Sequence, residues 1–281
     1  MRDTCCMCTE ECLQQSRAGR LSRRAALTGA AAAAAGLVAA APAQASPAPA
    51  ARLGSRLRDL TYPLTTTFPA FAPGEEAAKR TWVTIEDDGY YLQEWRLLEH
   101  YGTHVDAPGH FVPGGRTSTE LRLDELVTPA VVVDVAARAA RDPDTVVTVD
   151  DLRAHERRHG RIPRGAAVLM YSGWGARAGD AAAYRGADAN GTLHFPGFGA
   201  EACEWLLRRR GIRSVGVDTL SIDPGRSTTF DAHLLLAGAD RYGLENLANL
   251  GRVPPAGATV VVGLIPFQDG SGGQARVFAT W

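Results

Sequence analysis

Three of the seven histidines in this chain of 281 residues lie within one short segment, residues 100–110. The segment reads HYGTHVDAPGH and also contains Asp106. Imidazole and carboxylate groups at this density each need a polar partner if they are buried. Two imidazoles and a carboxylate are suitable ligands for zinc, manganese or iron, and a site that keeps a position for water can be hydrolytic. The segment therefore predicts a metal site, with hydrogen-bonded loop residues as the alternative.

The spacing within the segment allows its side chains to converge. His104 and Asp106 are two positions apart, so both can point the same way from an extended backbone. His100 lies four residues before His104, and His110 lies four residues after Asp106. The glycine and proline residues between them favour a bent, non-helical path. We expect these four side chains to meet at one point.

A second candidate metal site is HERRH, residues 155–159, which matches the zincin protease pattern H-E-x-x-H. On a helix, His155 and His159 would share a face, and Glu156 would be available as a general base. The surrounding residues argue against this interpretation, because nearby cations oppose a bound dication. No third ligand follows at the metzincin spacing. We therefore expect a solvated helix end here. The neighbouring arginines are Arg153, Arg157 and Arg158.

Nucleophilic catalysis by serine or cysteine has weaker support. The chain has no G-x-S-x-G pattern, and YSGWG lacks the glycine that must precede the serine of a nucleophile elbow. Cys203 lies in GAEACEWLLRRRG, where it shares a helical face with Leu206 and Leu207. This pattern is typical of a buried apolar thiol.

The composition is that of a soluble globular protein, with 45% hydrophobic and 22% charged residues. The chain carries 30 basic and 31 acidic residues, a formal net charge of -1, and no basic block beyond the N-terminus. This balance argues against nucleic-acid binding. A small molecule is therefore the expected partner.

Residues 1–45 have the pattern of an export signal. Arginines precede an alanine-rich run, residues 30–41, and AQA at residues 43–45 is a small-residue cleavage pattern. LSRRAALTG contains the arginine pair of twin-arginine signals, and an ordinary secretory signal is the alternative. The apolar run is shorter than the roughly 20 residues that span a bilayer. We expect an exported protein, periplasmic or extracellular, with no stable membrane span after signal removal.

Removal of this signal would take four of the five cysteines with it. Cys5, Cys6, Cys8 and Cys12 all precede the arginine pair. Cys203 would remain alone, so no intramolecular disulfide is expected in an oxidising compartment. Residues 46–56 read as a linker, and residues 57–281 as a single domain.

The domain mixes strands and helices without strict alternation or a fixed repeat, which predicts an α/β fold. Asp87-Asp88-Gly89 between two β-rich runs predicts a hairpin. Residues 150–159 read as a helix capped by Thr148, with Asp151 three positions on. Further strands are predicted in AVVVDV, AAVLMYS, SVGVD and YGLENL, with a closing pair in TVVVGLIPF and ARVFAT, and further helices over residues 201–209 and 231–236.

The pattern H-x-G-T-H-x-D-x-P-x-H over residues 100–110 resembles the signature of the cyclase family, which includes bacterial kynurenine formamidases and isatin hydrolases. The resemblance continues through GWG, FPGF, VGVDTLSIDP and the closing glycine loop, and so covers most of residues 57–280. It implies a mixed, barrel-like β core with flanking helices, the swivelling β/β/α fold of cyclases. It also implies a metal-dependent hydrolase.

By this resemblance, His100, His104 and Asp106 would hold one metal ion, and Asp106 could bridge to a second. His233, with Glu245 twelve residues after it, would complete the site. His110 would be the acid/base residue. The cofactor would be zinc or manganese, as one ion or two, and dimers are common among relatives, so a homodimer is possible.

The resemblance implies hydrolysis of an amide, formamide or lactone carbonyl by a water that the metal activates. Kynurenine formamidases place a tryptophan near the N-terminus against the aromatic substrate, and this chain offers Phe71 there, in FPAFAPGEE. Two alternatives are an exported metal or ligand binder that kept the fold without catalysis, and the zincin peptidase that would use residues 155–159.

Overall fold

Valine-rich segments form the central strands of the molecule in a computed structural model that describes residues 56–281. The predicted export signal and almost all of the predicted linker lie outside these residues. Within them, no helix combines the length and apolar character needed to cross a membrane.

Twelve strands are present in the described part of the chain. They are β1 (Leu57–Asp59), β2 (Ala78–Val83), β3 (Leu92–Arg96), β4 (His104–Asp106), β5 (Val127–Asp134), β6 (Val146–Val147), β7 (Ala167–Tyr171), β8 (Gly197–Phe198), β9 (Ser214–Val217), β10 (Tyr242–Glu245), β11 (Ala258–Leu264) and β12 (Gly272–Thr280). The α-helices are α1 (Ile85–Asp88), α2 (Ala136–Ala139), α3 (Val149–His159), α4 (Ala181–Arg185), α5 (Ala200–Trp205) and α6 (Asp231–Gly238). These elements agree with the predicted α/β class.

The main sheet closes into a barrel. Among the described residues its strand order is β1-β12-β11-β5-β7-β9-β10-β4, and β4 also pairs with β12, so that seven strands form a closed ring and β1 extends it. Strands β5, β7, β9 and β10 run parallel to their neighbours in this series. The remaining pairings of the ring are antiparallel. This is the mixed, barrel-like sheet that the resemblance implies.

Both faces of the parallel strands are buried, which explains their continuous apolar sequences. Val132 and Leu169 point into the barrel with the apolar side chains of β11 and β12. Val131 and Val168 point outward and pack against helices α3, α5 and α6. Cys203 belongs to this outer cluster and is fully buried, as its helical pattern predicts.

Local signals account for the ends of several elements. Helix α3 begins after Thr148, whose side chain accepts a hydrogen bond from the Asp151 backbone, and the Asp151 carboxylate accepts one from the Thr148 backbone in return. Strands β2 and β3 form the predicted hairpin. The turn is longer than expected, because Thr84 caps a single helical turn, α1, that ends at Gly89 in the left-handed conformation.

Two of the predicted segments differ in the structure, and the short elements β6, β8, α2 and α4 were not predicted. The helix expected over residues 201–209 changes to π-helical hydrogen bonding at residues 206–210 and ends at Gly211, which has a positive φ. Strand β12 begins at Gly272, within the glycine-rich segment expected to be a loop. This extension is needed for β12 to reach β4 and close the barrel.

Candidate metal centre

The histidine-rich segment folds as strand β4, whose short extended backbone is held between two longer strands. His104 lies opposite Glu245 of β10 on one side and opposite Gln274 of β12 on the other. Asp106 lies opposite two glycines, Gly243 and Gly272. A Cβ atom at position 243 would lie 3.0 Å from Oδ2 of Asp106, so glycine leaves room for this carboxylate. The barrel closure thus places the segment against strand β10.

His104 is buried with one nitrogen assigned to a backbone partner. Its Nδ1 lies 2.8 Å from the carbonyl oxygen of Gly102, which can only accept, so Nδ1 carries the proton in the neutral ring. Nε2 then presents a lone pair to two carboxylates, at 3.2 Å from Oδ1 of Asp106 and 3.3 Å from Oε2 of Glu245. When this ring is neutral, three electron-rich atoms therefore face one another.

His233 has the same arrangement on helix α6. Its Nδ1 lies 2.6 Å from Oδ2 of Asp223, a carboxylate that also accepts from the backbone of residues 232 and 233. Its Nε2 lies 3.2 Å from Oε1 of Glu245 and 3.6 Å from Oδ2 of Asp106. Asp106 and Glu245 thus each face both His104 and His233.

His100 reaches the same carboxylate from the preceding loop. Its Nδ1 lies 2.6 Å from Oδ1 of Asp106, and its Nε2 lies 2.8 Å from the hydroxyl of Ser271. That hydroxyl in turn donates to Glu99 over 2.7 Å. All three histidines therefore have one ring nitrogen held by an outer partner, which is how proteins fix the orientation of metal-ligating imidazoles.

The electrostatics of this cluster call for a cation. Nε2 of His104 and Oδ2 of Asp106 are buried and have no hydrogen-bond partner among the described residues. Burial alone would lower the pKa of His104, but Asp106 and Glu245 raise it to about 10. Burial likewise opposes a charge on His233, yet the carboxylates of Asp106, Asp223 and Glu245 raise its pKa well above the usual value. A divalent cation bound to imidazole and carboxylate ligands would satisfy the same atoms.

His110 lies beside the cluster and faces the cavity. Its ring stacks on His100 with centroids 3.9 Å apart, and it lies 6.1 Å from the ring of His233. Desolvation lowers its pKa to about 4, because the attraction of Asp106 is opposed by His100 and His233. An ordinary histidine has a pKa of 6.5 and titrates near neutrality, but these surroundings keep the His110 imidazole neutral at pH 7.

The cluster forms one end of a cavity of about 340 Å³. Phe111 stacks on His233 with centroids 4.4 Å apart, and Phe230 lies 5.6 Å from Phe111. Phe71, the predicted substrate contact, also lines the cavity and is 39% exposed. The walls are otherwise mainly apolar and belong to Pro69, Ala70, Leu98, Tyr101 and Leu220, with Glu75 and Ser221 among the polar residues. Among the described residues that line it, none is lysine or arginine.

The structure therefore brings together all five residues proposed as metal ligands, with His110 and Phe71 at the same cavity. Sequence reasoning missed the outer partners Asp223, Ser271 and Glu99. Asp223 lies in the largely apolar segment VGVDTLSIDP. An aspartate in such a segment could have been recognised as a buried carboxylate that needs a polar partner. The partners of His100 had no local signal, because Ser271 is distant in sequence.

The HERRH segment forms no part of this centre. Glu156 is bound by Arg210, with Nη2 2.6 Å from Oε2, and it accepts a hydrogen bond from the Ile162 backbone. This carboxylate is therefore not free to act as a general base. The expectation of a solvated helix end holds for His159, which is exposed, but not for His155, which is buried against the body of the protein.

Comparison with known proteins places these observations in a family. Residues 58–224, more than half of the chain, match the family described as "Putative cyclase". Isatin hydrolase of Roseibium aggregatum is 36% identical over 203 residues, which cover 69% of this chain and 76% of that protein. Kynurenine formamidase of Bordetella petrii is 30% identical over 194 residues, covering 68% and 82% respectively.

The fold agrees with this relationship. Isatin hydrolase A from Ralstonia solanacearum superimposes with a TM-score of 0.75 at 36% identity, over 80% of this chain and 91% of that one. The histidine-rich segment lies within the matched residues, whereas His233 and Glu245 lie beyond the end of the family match. The chain belongs to the cyclase family of hydrolases.

Proposed function

We propose that this protein is a metal-dependent hydrolase that cleaves the carbonyl–nitrogen bond of a small aromatic amide. The observation that carries the proposal is the meeting of His104, Asp106, His233 and Glu245 at one end of an apolar cavity. When bound there, a divalent cation supplies a Lewis acid that polarises a carbonyl and lowers the pKa of a coordinated water from 15.7 to about 7.

The protein's own groups prepare the site for this chemistry. Gly102 and Asp223 hold Nδ1 of His104 and His233, so that each Nε2 points its lone pair inward. His110, neutral at pH 7, accepts a proton from the attacking water. Water adds to the carbonyl carbon, the carbon–nitrogen bond breaks, and His110 returns the proton to the departing nitrogen. The walls around these groups are mainly apolar.

The cavity favours a neutral aromatic substrate. Phe71, Phe111 and Phe230 offer flat apolar surfaces, and no lysine or arginine of the described residues lines the walls to bind an α-carboxylate. Glu75 adds a negative charge that would repel one. A cyclic amide such as isatin fits these properties better than N-formylkynurenine, which carries an α-carboxylate. The formamide remains the second candidate, supported by the similarity to kynurenine formamidase.

Zinc or manganese is the proposed metal, since both accept imidazole and carboxylate ligands. Asp106 directs Oδ1 toward His100 and His104, and Oδ2 toward His233. This division of its two oxygens supports Asp106 as a residue able to bridge two ions. The number of ions is therefore part of the test.

The test combines elemental analysis with hydrolysis assays on isatin, N-formylkynurenine and an aryl ester. We expect divalent metal in the purified protein and turnover of at least one amide, with His104→Ala losing both. His194→Gln is the matched control, because this imidazole pairs with Asp144 and does not line the cavity. Metal-loaded protein that hydrolyses none of these compounds would instead support the non-catalytic binder. Metal and turnover that survive His104→Ala would contradict the proposal.

Export by the twin-arginine route and assembly as a homodimer are part of the same proposal. The arginine pair Arg23-Arg24 before an alanine-rich run supports export. Apolar side chains exposed on the β2–β3 hairpin and the turn that follows Val83 support a self-association surface; they include Trp82, Tyr91 and Leu92 at 42%, 56% and 49% exposure. N-terminal sequencing of secreted protein and light scattering after gel filtration test the two points.

A further inference from the structure

Helix α3 presents two histidines that the hydrolytic centre does not use. His155 and His159 are four residues apart, so their side chains share one helical face. Their ring centroids are 5.0 Å apart with planes inclined at 49°. Because Arg210 holds Glu156, the peptidase interpretation does not explain this pair.

His155 has an unmet bonding requirement. The residue is 6% exposed, and its Nε2 is buried without a hydrogen-bond partner among the described residues. Buried polar atoms of native proteins are nearly always paired, so an orphaned imidazole nitrogen points to a partner that binds there. Burial, followed by repulsion from His159, lowers the pKa of His155, which leaves a lone pair for that partner at neutral pH.

Both histidines line a second cavity of about 470 Å³, between α3 and the ends of strands β5 and β7. Asp151, one turn before His155, lines it as well, and Asp134 faces it from the end of β5. Arg158 is the opposing charge in this cavity. Nη2 of Arg138 lies 2.7 Å from Oδ2 of Asp151 and partly neutralises that carboxylate. Asp134 is then the carboxylate that offsets the positive charge of Arg158 in this cavity. The cavity thus offers two imidazoles to a cation and has two carboxylates on its walls.

We propose that His155 and His159 form a second metal site, separate from the hydrolytic centre, that takes a borderline divalent transition metal such as Zn²⁺ or Ni²⁺. Imidazole nitrogens are the preferred ligands of these ions, whereas Mg²⁺ and Ca²⁺ select oxygen. Water would complete the coordination. Because only the folded helix places the two imidazoles on one face, metal binding should also stabilise the fold.

The experiment uses Ni²⁺ as the probe and full-length protein whose hydrolytic centre is already loaded with metal. Accessible thiols are first blocked with iodoacetamide, so that the N-terminal cysteines do not bind the probe. Equilibrium dialysis should find one Ni²⁺ more per chain in the wild type than in His159→Gln. Since loss of an outer partner alone weakens metal sites by about 10- to 100-fold, loss of a ligand should weaken Ni²⁺ binding at least tenfold.

His159→Gln is the informative variant, because this side chain is exposed and its replacement leaves the core intact. Its hydrolysis rate and near-ultraviolet circular dichroism should match the wild type, which separates failure of this site from failure of the hydrolytic centre. His194→Gln is the control and should keep the additional Ni²⁺. Equal Ni²⁺ binding by wild type and His159→Gln, at any stoichiometry, would overturn the proposal.

Discussion

His104 and Glu245 lie directly opposite each other on strands β4 and β10, with Nε2 of the imidazole 3.3 Å from Oε2 of the carboxylate. They are 141 positions apart in the sequence and become neighbours only when the barrel closes. Because Glu245 also faces His233 at 3.2 Å, it joins the histidine segment to helix α6. The hydrolytic centre therefore depends on long-range strand pairing.

Glu245→Gln tests this joining role. The substitution keeps the size of the side chain but removes its charge, so the two imidazoles lose a shared anionic partner. Substitution of a residue that only orients a metal ligand weakens metal binding by about 10- to 100-fold. Because Glu245 is itself a proposed ligand, we expect metal affinity to fall at least about 100-fold and the rate of hydrolysis to fall with it. Metal-competition titration measures the change. Glu201→Gln, an exposed glutamate on α5, is the control and should leave both values unaltered.

Asp223→Asn tests the orientation of His233. The amide can turn an N–H toward Nδ1 and so favour the wrong ring tautomer. We expect metal affinity to fall by about 10- to 100-fold. The control is Asp231→Asn in the first turn of helix α6, where the carboxylate accepts a hydrogen bond from the Thr229 hydroxyl. A variant that binds metal as tightly as the wild type would show that Asp223 serves only to cap helix α6.

His110→Asn separates proton transfer from metal binding. If His110 moves the proton, kcat should fall by about 10²- to 10⁴-fold, the usual contribution of general acid–base catalysis. Metal content should remain that of the wild type, since His104, His233, Asp106 and Glu245 are unchanged. Elemental analysis beside the kinetic assay makes the distinction. Loss of metal in this variant would assign His110 to the ligands instead.

The local part of the centre could be predicted, because extended spacing places His104 and Asp106 on one side of a strand. His233 and Glu245 came from the family resemblance alone, since no local rule predicts that β10 pairs with β4. The same limit applies to Ser271, which reaches His100 only through the pairing of β12 with β4. Local patterns predicted the longer strands and helices, but not the short elements β6, β8, α2 and α4 or the order in which the strands close the barrel.

The HERRH segment shows a different limit of sequence-based prediction, which concerns the burial of helix residues. The surrounding arginines were the argument against a peptidase site, but in the structure Glu156 is held by Arg210, which is distant in sequence. The surrounding arginines also suggested that the whole helix end is solvated. His155 is buried instead, because it lies on the same face of α3 as Leu152, which packs under the outer core. Charged residues in the sequence identify the exposed face of a helix. They do not show how deeply the residues on its opposite face are buried.

Gly272→Ala tests the space that barrel closure requires. A Cβ atom at this position would collide with the Val105 carbonyl oxygen and lie 2.6 Å from Cε1 of His100. We expect a loss of about 1–3 kcal/mol in unfolding free energy and weaker metal binding, because His100 must move. Gly238→Ala is the control: its Cβ would meet nothing within 4 Å, so denaturant titration should find no loss of stability there.

Asp218 should give the stability of the protein a distinctive pH dependence. Burial raises its pKa from 3.8 to about 6, although hydrogen bonds from Ser172 oppose the shift. The folded protein therefore holds this proton more tightly than the unfolded chain. The resulting stabilisation is complete below pH 3.8 and is lost as the pH rises through about 6. At 1.36 kcal/mol per pKa unit, the loss is about 3 kcal/mol by pH 7.

Urea titration of wild type and Asp218→Asn between pH 4 and pH 7 measures this effect. The variant cannot ionise at position 218, so its unfolding free energy should rise relative to the wild type by about 2 kcal/mol across that range, since part of the loss has already occurred at pH 4. Taking the difference removes the contribution of metal binding, which is common to both proteins. Asp150→Asn, an exposed aspartate on α3, gives the effect of losing one surface charge. A constant difference between wild type and Asp218→Asn would mean that Asp218 has the same pKa in the folded and unfolded chains.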